Sequence, residues 1–455
     1  MLKVILAINL VFILIVFIEE YKSLHVCIIW AFICLILPLL GFAVYVLFGN
    51  KLKFKAKNQI LNKQHTTKQY LKQTSWYANS KIMKKNNVWL NNKVTFFYNG
   101  KSFFNCLIKD IKKAKYSINL MFYILKDDAF GKELQTQLIK KAKEGVAVNV
   151  VYDALGSRKT SNKFWQKMKD EGICVAPYFP PIYKLNFLNL KVNYRNHKKI
   201  VVIDGAISYT GGINIRADHM GRNKKLTPWR DTQIKLQGTA TYELQNLFLN
   251  DLAFATKSNI LPKQIDKYFK KQQCKEKNKI KIIDSGPLQK SKILNEYLKI
   301  ISTAKDFLII QTPYFVVENN VIQQILNAKN RGVNVMVFIP KKPDKKIVYS
   351  ATLKTIKPFV LAGVSVFLYN GFIHSKTLLT SSVLSVGSCN FDNRSFYLNF
   401  ENTCLFYNKA VINQNFRQIK KDMLNSEQLT IKKYKKLVKK YSIFNWIYAL
   451  IKNIL

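Results

Sequence analysis

The chain opens on two almost unbroken apolar runs, residues 4–18 (VILAINLVFILIVFI) and 24–48, separated by the short polar turn EEYKS. The second run is long enough to span a bilayer, and the first falls somewhat short of the ~20 residues such a span needs. The pattern predicts a hairpin of two membrane helices over 1–50. A lysine-rich connector over 51–90 follows, read as a solvated charged stretch. Beyond it, β-branched runs alternate with stretches such as GKELQTQLIKKAKEG at 131–145, whose apolar spacing near 3.6 suits an amphipathic helix. That alternation predicts α/β layering around a largely buried mixed sheet.

The α/β region repeats itself. AKYSINLMFYI at 114–124 parallels AKDFLIIQTPYF at 304–315, and AKEGVAVNVVYD at 142–153 parallels AKNRGVNVMVFIP at 328–340. EGICVAPYF at 171–179 parallels AGVSVFLYN at 362–370. His-x-Lys follows in each half, at His197/Lys199 and His374/Lys376, and then GGIN at 211–214 or GSCN at 387–390. The order is the same at offsets of roughly 180 residues. Two copies packed about a pseudo-two-fold axis would bring both His-x-Lys segments to one site. The expected boundaries are 91–270 and 271–428 for the two units, with a basic amphipathic helix over 429–455.

Composition narrows the partners rather than the fold. Lys plus Arg number 73 against 26 Asp plus Glu, a formal charge of +47, which favours anionic partners such as phospholipid headgroups or nucleic acid. The joint richness in Lys, Asn and Ile also suits an AT-rich genome, so the charge alone selects no ligand. The seven cysteines, at 27, 34, 106, 174, 274, 389 and 404, form no C-x-x-C. They suit a reducing compartment rather than a disulfide framework or a zinc site. A signal peptide is the competing reading of the first apolar run, but no small-x-small cleavage site follows it. Lys51, Lys53, Lys55 and Lys57, against the two acids in the hairpin turn, predict a multi-pass protein of the cell membrane with its α/β units facing the cytoplasm.

The repeated residues suit phosphodiester chemistry. On a strand, residues two apart share a face, so each His and Lys would project together. One neutral imidazole can attack phosphorus while the other, protonated, serves the leaving oxygen. Lys199 and Lys376 neutralise the non-bridging oxygens. Asn214 and Asn390 add amide donors, where Gly212 and Ser388 are small enough for a phosphate to approach. The arrangement requires no metal and no cofactor. Of the other histidines, His219 and His65 read as surface residues and His25 as lying at a membrane boundary. GKS at 100–102 lacks the first glycine of a phosphate loop, and nothing after Asp204-Gly205 continues a nucleotide-alcohol phosphotransferase motif.

At these residues the sequence resembles the phospholipase D superfamily, whose motif is His-x-Lys, four residues, Asp, six residues, Gly-[Gly/Ser]-x-Asn. The first copy, His197 through Asp204 to Gly211, Gly212 and Asn214, fits throughout. YDALGS at 152–157, YTGGINI, PWRDT at 228–232, QTPYF at 311–315 and LNFEN at 398–402 look like the membrane-anchored bacterial cardiolipin synthases. The resemblance implies two phospholipase D-like domains with mixed, mostly parallel sheets behind a transmembrane helical hairpin. It implies a phosphatidyl transfer between two phosphatidylglycerols that gives cardiolipin and glycerol, with an anionic phospholipid as partner and no nucleic acid. It further implies that acids downstream of each motif, Asp231 and Glu401, orient the histidines, with His197 as nucleophile and His374 as acid and then base. The second copy departs from the pattern: Ser381 stands where Asp is expected, and the spacing to Asn390 is one residue shorter. With both orienting acids present, Ser381 is read as replacing a supporting residue. Phospholipid hydrolysis, nucleic-acid cleavage and a non-catalytic membrane role remain as competing readings.

Overall fold

The computed structural model describes residues 2–20, 24–42, 45, 84–85, 88–179, 194–256, 274–287 and 291–444. Most of the connector, His65 and the last eleven residues lie outside them. The N-terminal runs form α1 (Leu2–Glu20) and α2 (Leu24–Ile36), which pack on each other. The second run is shorter as a helix than its apolar length, because Pro38 removes a backbone donor and Leu39 turns to a positive φ. Among the described residues no helix is long and apolar enough to cross a membrane. Both helices nonetheless leave large apolar side chains exposed, among them Leu10, Leu14, Phe32 and Leu35.

The first half supplies strands β1 (Val88–Phe97), β2 (Ser117–Phe122), β3 (Ala147–Asp153), β4 (Cys174–Tyr178), β5 (Ile200–Ile203), β6 (Ile207–Gly211) and β7 (Gln233–Gly238). The second supplies β8 (Asn278–Ser285), β9 (Phe307–Gln311), β10 (Asn334–Pro340), β11 (Ser365–Tyr369), β12 (Thr377–Thr380), β13 (Leu384–Gly387) and β14 (Asn399–Phe406). The spatial order is β4-β3-β2-β5-β6-β7-β1, then across β1–β8 to β8-β14-β13-β12-β9-β10-β11. Each strand n has its mate at n+7, so the repeat closes into one continuous sheet through the antiparallel β1–β8 seam. β1 begins before residue 91, so the first unit reaches into the expected connector.

The sheet is mixed, but it is not mostly parallel. Among these fourteen strands only β2-β3-β4 and β9-β10-β11 run parallel, and their other pairs with one another are antiparallel. In the first half α3 (Gly100–Lys112) leads from β1 to β2, whereas the parallel strands are those joined by crossover helices, α4 (Ala129–Lys143) and α5 (Asn162–Asp170). After each His-x-Lys the chain turns back within two or three residues, and so tight a return permits only an antiparallel pair. Side chains such as Asn99, Asp128 and Ser161 start these helices by accepting backbone N–H groups at their N-termini.

Strand alternation divides the core. In β2, Ile118, Leu120 and Phe122 face a cluster shared with α3, α4 and α5, whereas Met121 joins an inner cluster common to both halves. That inner core packs α6 (Thr241–Thr256) and α7 (Lys409–Leu424) against residues from both halves, including Ile234, Ile309, Leu379 and Phe406. The basic C-terminal segment forms α8 (Ile431–Tyr441), followed by a single 3-10 turn through Phe444. Tyr434 donates to Leu353 O at 3.1 Å and Tyr441 meets the Tyr349 ring edge-on at 5.1 Å, so this helix packs on the second unit.

Candidate active site

Each His-x-Lys segment lies between two strands rather than within one. Arg195–Asn196 pairs in parallel with Asn399–Phe400 at the start of β14, and Phe372–Ile373 pairs with Trp229–Arg230. The registers set each histidine opposite the acid of the other half. His197 N donates to Phe400 O at 2.9 Å, and His374 N donates to Arg230 O at 2.6 Å. The imidazoles follow. His197 Nδ1 lies 2.9 and 3.1 Å from the two oxygens of Glu401, and His374 Nδ1 lies 2.6 Å from Asp231 Oδ2. The expectation that each histidine is served by the acid downstream in its own copy is therefore reversed, because the short strands exchange partners across the pseudo-dyad.

Both rings line one pocket of about 250 Å³, with Asn214, Asn390, Arg195, Arg216 and Arg394. Asn214 gives its amide oxygen to Ile124 N–H at 3.1 Å, which leaves its Nδ2 donors for the pocket. Lys199 and Lys376 are fully buried, each held by the carbonyl of its own histidine at 2.5 Å. Burial lowers Lys199 to about 7 and Lys376 to about 8, against the pull of the nearby carboxylates. Burial likewise lowers His197 to about 4 and His374 well below its ordinary value, with Lys376 adding to the second shift. Asp231 is raised to about 6 by burial. Burial also works to raise Glu401, but His197, Lys199 and the Ser388 hydroxyl together hold it below the ordinary value.

Several expected site residues act elsewhere. Gly212 does not face a phosphate: a Cβ there would lie 2.1 Å from Asp231 Oδ1, so its bareness makes room for the carboxylate. Ser388, its mate, donates to Glu401 Oε2 at 2.5 Å and accepts Asn402 N–H at 3.1 Å. Asp204 sits in the β5–β6 turn at φ 51° and accepts the N–H groups of Lys115, Tyr116 and Ser117 at 2.7–2.9 Å. It is a strut for the start of β2, not a pocket residue. Ser381 occupies the matching β12–β13 turn, where Thr380 Oγ1 accepts Ser382 and Val383 N–H instead. Asp204→Ala is expected to lower stability by about 1–3 kcal/mol through those lost bonds, with kcat/KM changed by less than about twofold. Denaturant titration beside initial rates checks it.

The structure also brings in residues that the sequence reading passed over. His219 is 3% exposed rather than on the surface, its ring 4.8 Å from that of His374 and 4.3 Å from Trp229. Tyr123 meets His197 edge-on at 4.8 Å. Asp153, in YDALGS, accepts Asn196 N–H at 3.0 Å and so fixes the strand entering His197. The arginines had a faint signal: Arg195 lies two residues before one His-x-Lys, and Arg216 and Arg394 closely follow the two Gly-x-x-Asn turns.

His219, Asp231 and His374 bring ligand atoms within 4.8 Å of one another, a spacing a metal could use. The donor set does not fit one. Lys376 Nζ lies 2.9 Å from His374 Nδ1, and His219 Nδ1 already accepts Asn214 N–H at 3.1 Å. A buried ammonium already bonds one of the three groups a cation would need.

Comparison with known proteins agrees with this geometry. Residues 107–251 and 297–423 match the family described as cardiolipin synthase, PLD-like domain. The chain is 37% identical to the major cardiolipin synthase ClsA of Bacillus subtilis, over 94% of this chain and 93% of that protein. It is 35% identical to a cardiolipin synthase of Listeria welshimeri, over 96% and 95%. The crystal structure of phosphatidylserine synthase from Haemophilus influenzae aligns at a TM-score of 0.64 and 16% identity, over 83% of this chain and 99% of that one, and so shares the fold. With a duplicated domain, one shared pocket and relatives matched over nearly their full length, the chain belongs to the cardiolipin synthase family of phospholipase D-like proteins.

Proposed function

We propose that this protein is a phosphatidyltransferase that joins two phosphatidylglycerols into cardiolipin and releases glycerol. The observation that carries the reading is the crossed pair of buried His–carboxylate contacts opening on a single arginine-lined pocket. His197 Nε2 attacks the phosphorus of the first lipid, and the glycerol oxygen leaves with a proton from His374. The second lipid's hydroxyl then gives its proton to His374 and takes the phosphorus from His197. One phosphodiester replaces another, so no nucleotide is consumed. Lys199 and Lys376 offset charge growing on the phosphate oxygens.

The apolar helices α1 and α2 anchor the enzyme in the bilayer in this reading, with residues beyond 51 on the cytoplasmic side. There, each lysine near an anionic leaflet adds about 1 kcal/mol of attraction. The decisive experiment supplies the purified protein with labelled phosphatidylglycerol in vesicles. Cardiolipin plus glycerol supports transfer. Phosphatidate alone would make the protein a hydrolase, and no lipid product would end the reading.

The pH profile follows from the buried groups. Asp231 must be ionised to support His374, so kcat/KM should rise through about pH 6. Lys199 must be protonated, so activity should fall through about 7, with Lys376 following at about 8. His197, at about 4, is already neutral across this range. His374 must carry a proton to release glycerol, and burial with Lys376 holds it below its ordinary value, so it limits activity on the alkaline side ahead of Lys199 and a narrow bell is expected. Lys199→Arg, whose charge does not titrate, should leave the alkaline limb where His374 sets it.

A further inference from the structure

Two imidazoles suffice for the transfer above, yet a third lines the same pocket. His219 Nδ1 accepts the N–H of Asn214 at 3.1 Å, which fixes the neutral ring with its proton on Nε2. Burial, with His374 and Arg216 nearby, holds the ring's pKa well below its ordinary value, so it stays a neutral donor. The two ends of the pocket are unlike. Tyr123 flanks His197, whereas His219 and Trp229 flank His374, with Trp229's ring 5.1 Å from it. Trp229 Nε1 is a further buried donor with no hydrogen-bond partner among the described residues.

An alcohol that exchanges its proton with His374 must therefore lay its remaining atoms against His219 and Trp229. We infer that His219 is a further catalytic residue, whose Nε2–H donates to a second hydroxyl of the polyol that leaves and of the polyol that attacks. This inference rests on the phosphatidyl-transfer reading and names what that site selects. In the second step the P–N bond to His197 breaks and its electron pair returns to Nε2. The P–O bond forms, and the hydroxyl proton passes to His374. Water can complete the same step but presents no second oxygen to His219, so the contact favours transfer over hydrolysis.

The test measures the ratio of cardiolipin to phosphatidate made from labelled phosphatidylglycerol in vesicles. His219→Asn retains an acceptor near the Nδ1 position for Asn214 N–H and removes the outer donor; His219→Gln returns a donor near Nε2. The ratio is expected to fall about tenfold in the Asn variant, the worth of one neutral hydrogen bond, and to recover at least partly in the Gln variant. Because both products come from the same folded molecules, the ratio does not depend on how much protein folds. An unchanged ratio in His219→Asn, an equal fall in both variants, or loss of both products from both variants would overturn the inference and leave His219 a structural group. A wild-type chain that makes phosphatidate alone or no lipid product is a separate failure, which removes the transfer reading and this inference with it.

Discussion

Asp231→Asn is expected to cut turnover of phosphatidylglycerol by about a thousandfold to ten-thousandfold, the effect of removing the carboxylate that fixes a catalytic histidine's tautomer. The crossed pairing adds a sharper expectation. Asp231 contacts His374 and Glu401 contacts His197, so each substitution should disable the step belonging to the opposite half. Glycerol leaves only with a proton, whereas p-nitrophenolate leaves unaided. Asp231→Asn should therefore still release a burst of p-nitrophenol from an activated phosphodiester and stall at the covalent intermediate. Glu401→Gln should give no burst with either substrate, because the attacking imidazole itself is misdirected. Rapid-quench kinetics distinguish the two. The opposite pattern would mean that each acid serves the histidine of its own half, contrary to the distances.

Much of this site was legible in the sequence because duplication is a linear signal. His197 and His374 occupy equivalent places in the repeat, and each is followed by a Gly-x-x-Asn turn, so their meeting in one pocket could be inferred without coordinates. The partner exchange could not. It is carried by pairs of two-residue strands, Arg195–Asn196 with Asn399–Phe400 and Phe372–Ile373 with Trp229–Arg230, too short for any periodicity to reveal. Asp204 misleads for a related reason. Its place in the motif joins it to the chemistry on paper, but β5 carries it from the histidine to the far turn, where it holds three amides of another strand. At Ser381 no carboxylate reaches a neighbouring strand, and the shorter turn is held from within by the Thr380 hydroxyl, which accepts Ser382 and Val383 N–H. His219 carried no signal at all. A lone histidine in a loop becomes a site residue only when the fold buries it between Trp229 and His374. Likewise, apolar runs announced the N-terminal helices, but Pro38 divides the second one locally.

His197→Ala is expected to lower turnover by on the order of 10⁴ to 10⁶-fold, and to abolish any covalent intermediate, whereas His374→Ala should leave an intermediate trappable with an activated diester. The repeat makes the two histidines equivalent in sequence, but their surroundings differ. His197 Nδ1 faces both oxygens of Glu401, so its proton lies on Nδ1 and Nε2 keeps the lone pair a nucleophile needs. Asn399 Nδ2 and the Ser388 hydroxyl also donate to Glu401, at 3.1 and 2.5 Å, and keep it an acceptor. His374 Nδ1 faces Asp231 at 2.6 Å and also lies 2.9 Å from Lys376 Nζ. Asp231 accepts the Nδ1 proton, while the charges of Lys376 and Lys199 disfavour a second proton on the ring, so the proton carried on Nε2 is readily given to a leaving oxygen. Peptide mapping of the quenched wild-type enzyme should therefore find the phosphoryl group on the segment containing His197. Label on the His374 segment would reverse the roles while leaving the shared pocket intact, because the pseudo-dyad permits either direction and only the unlike surroundings of the two rings break the tie.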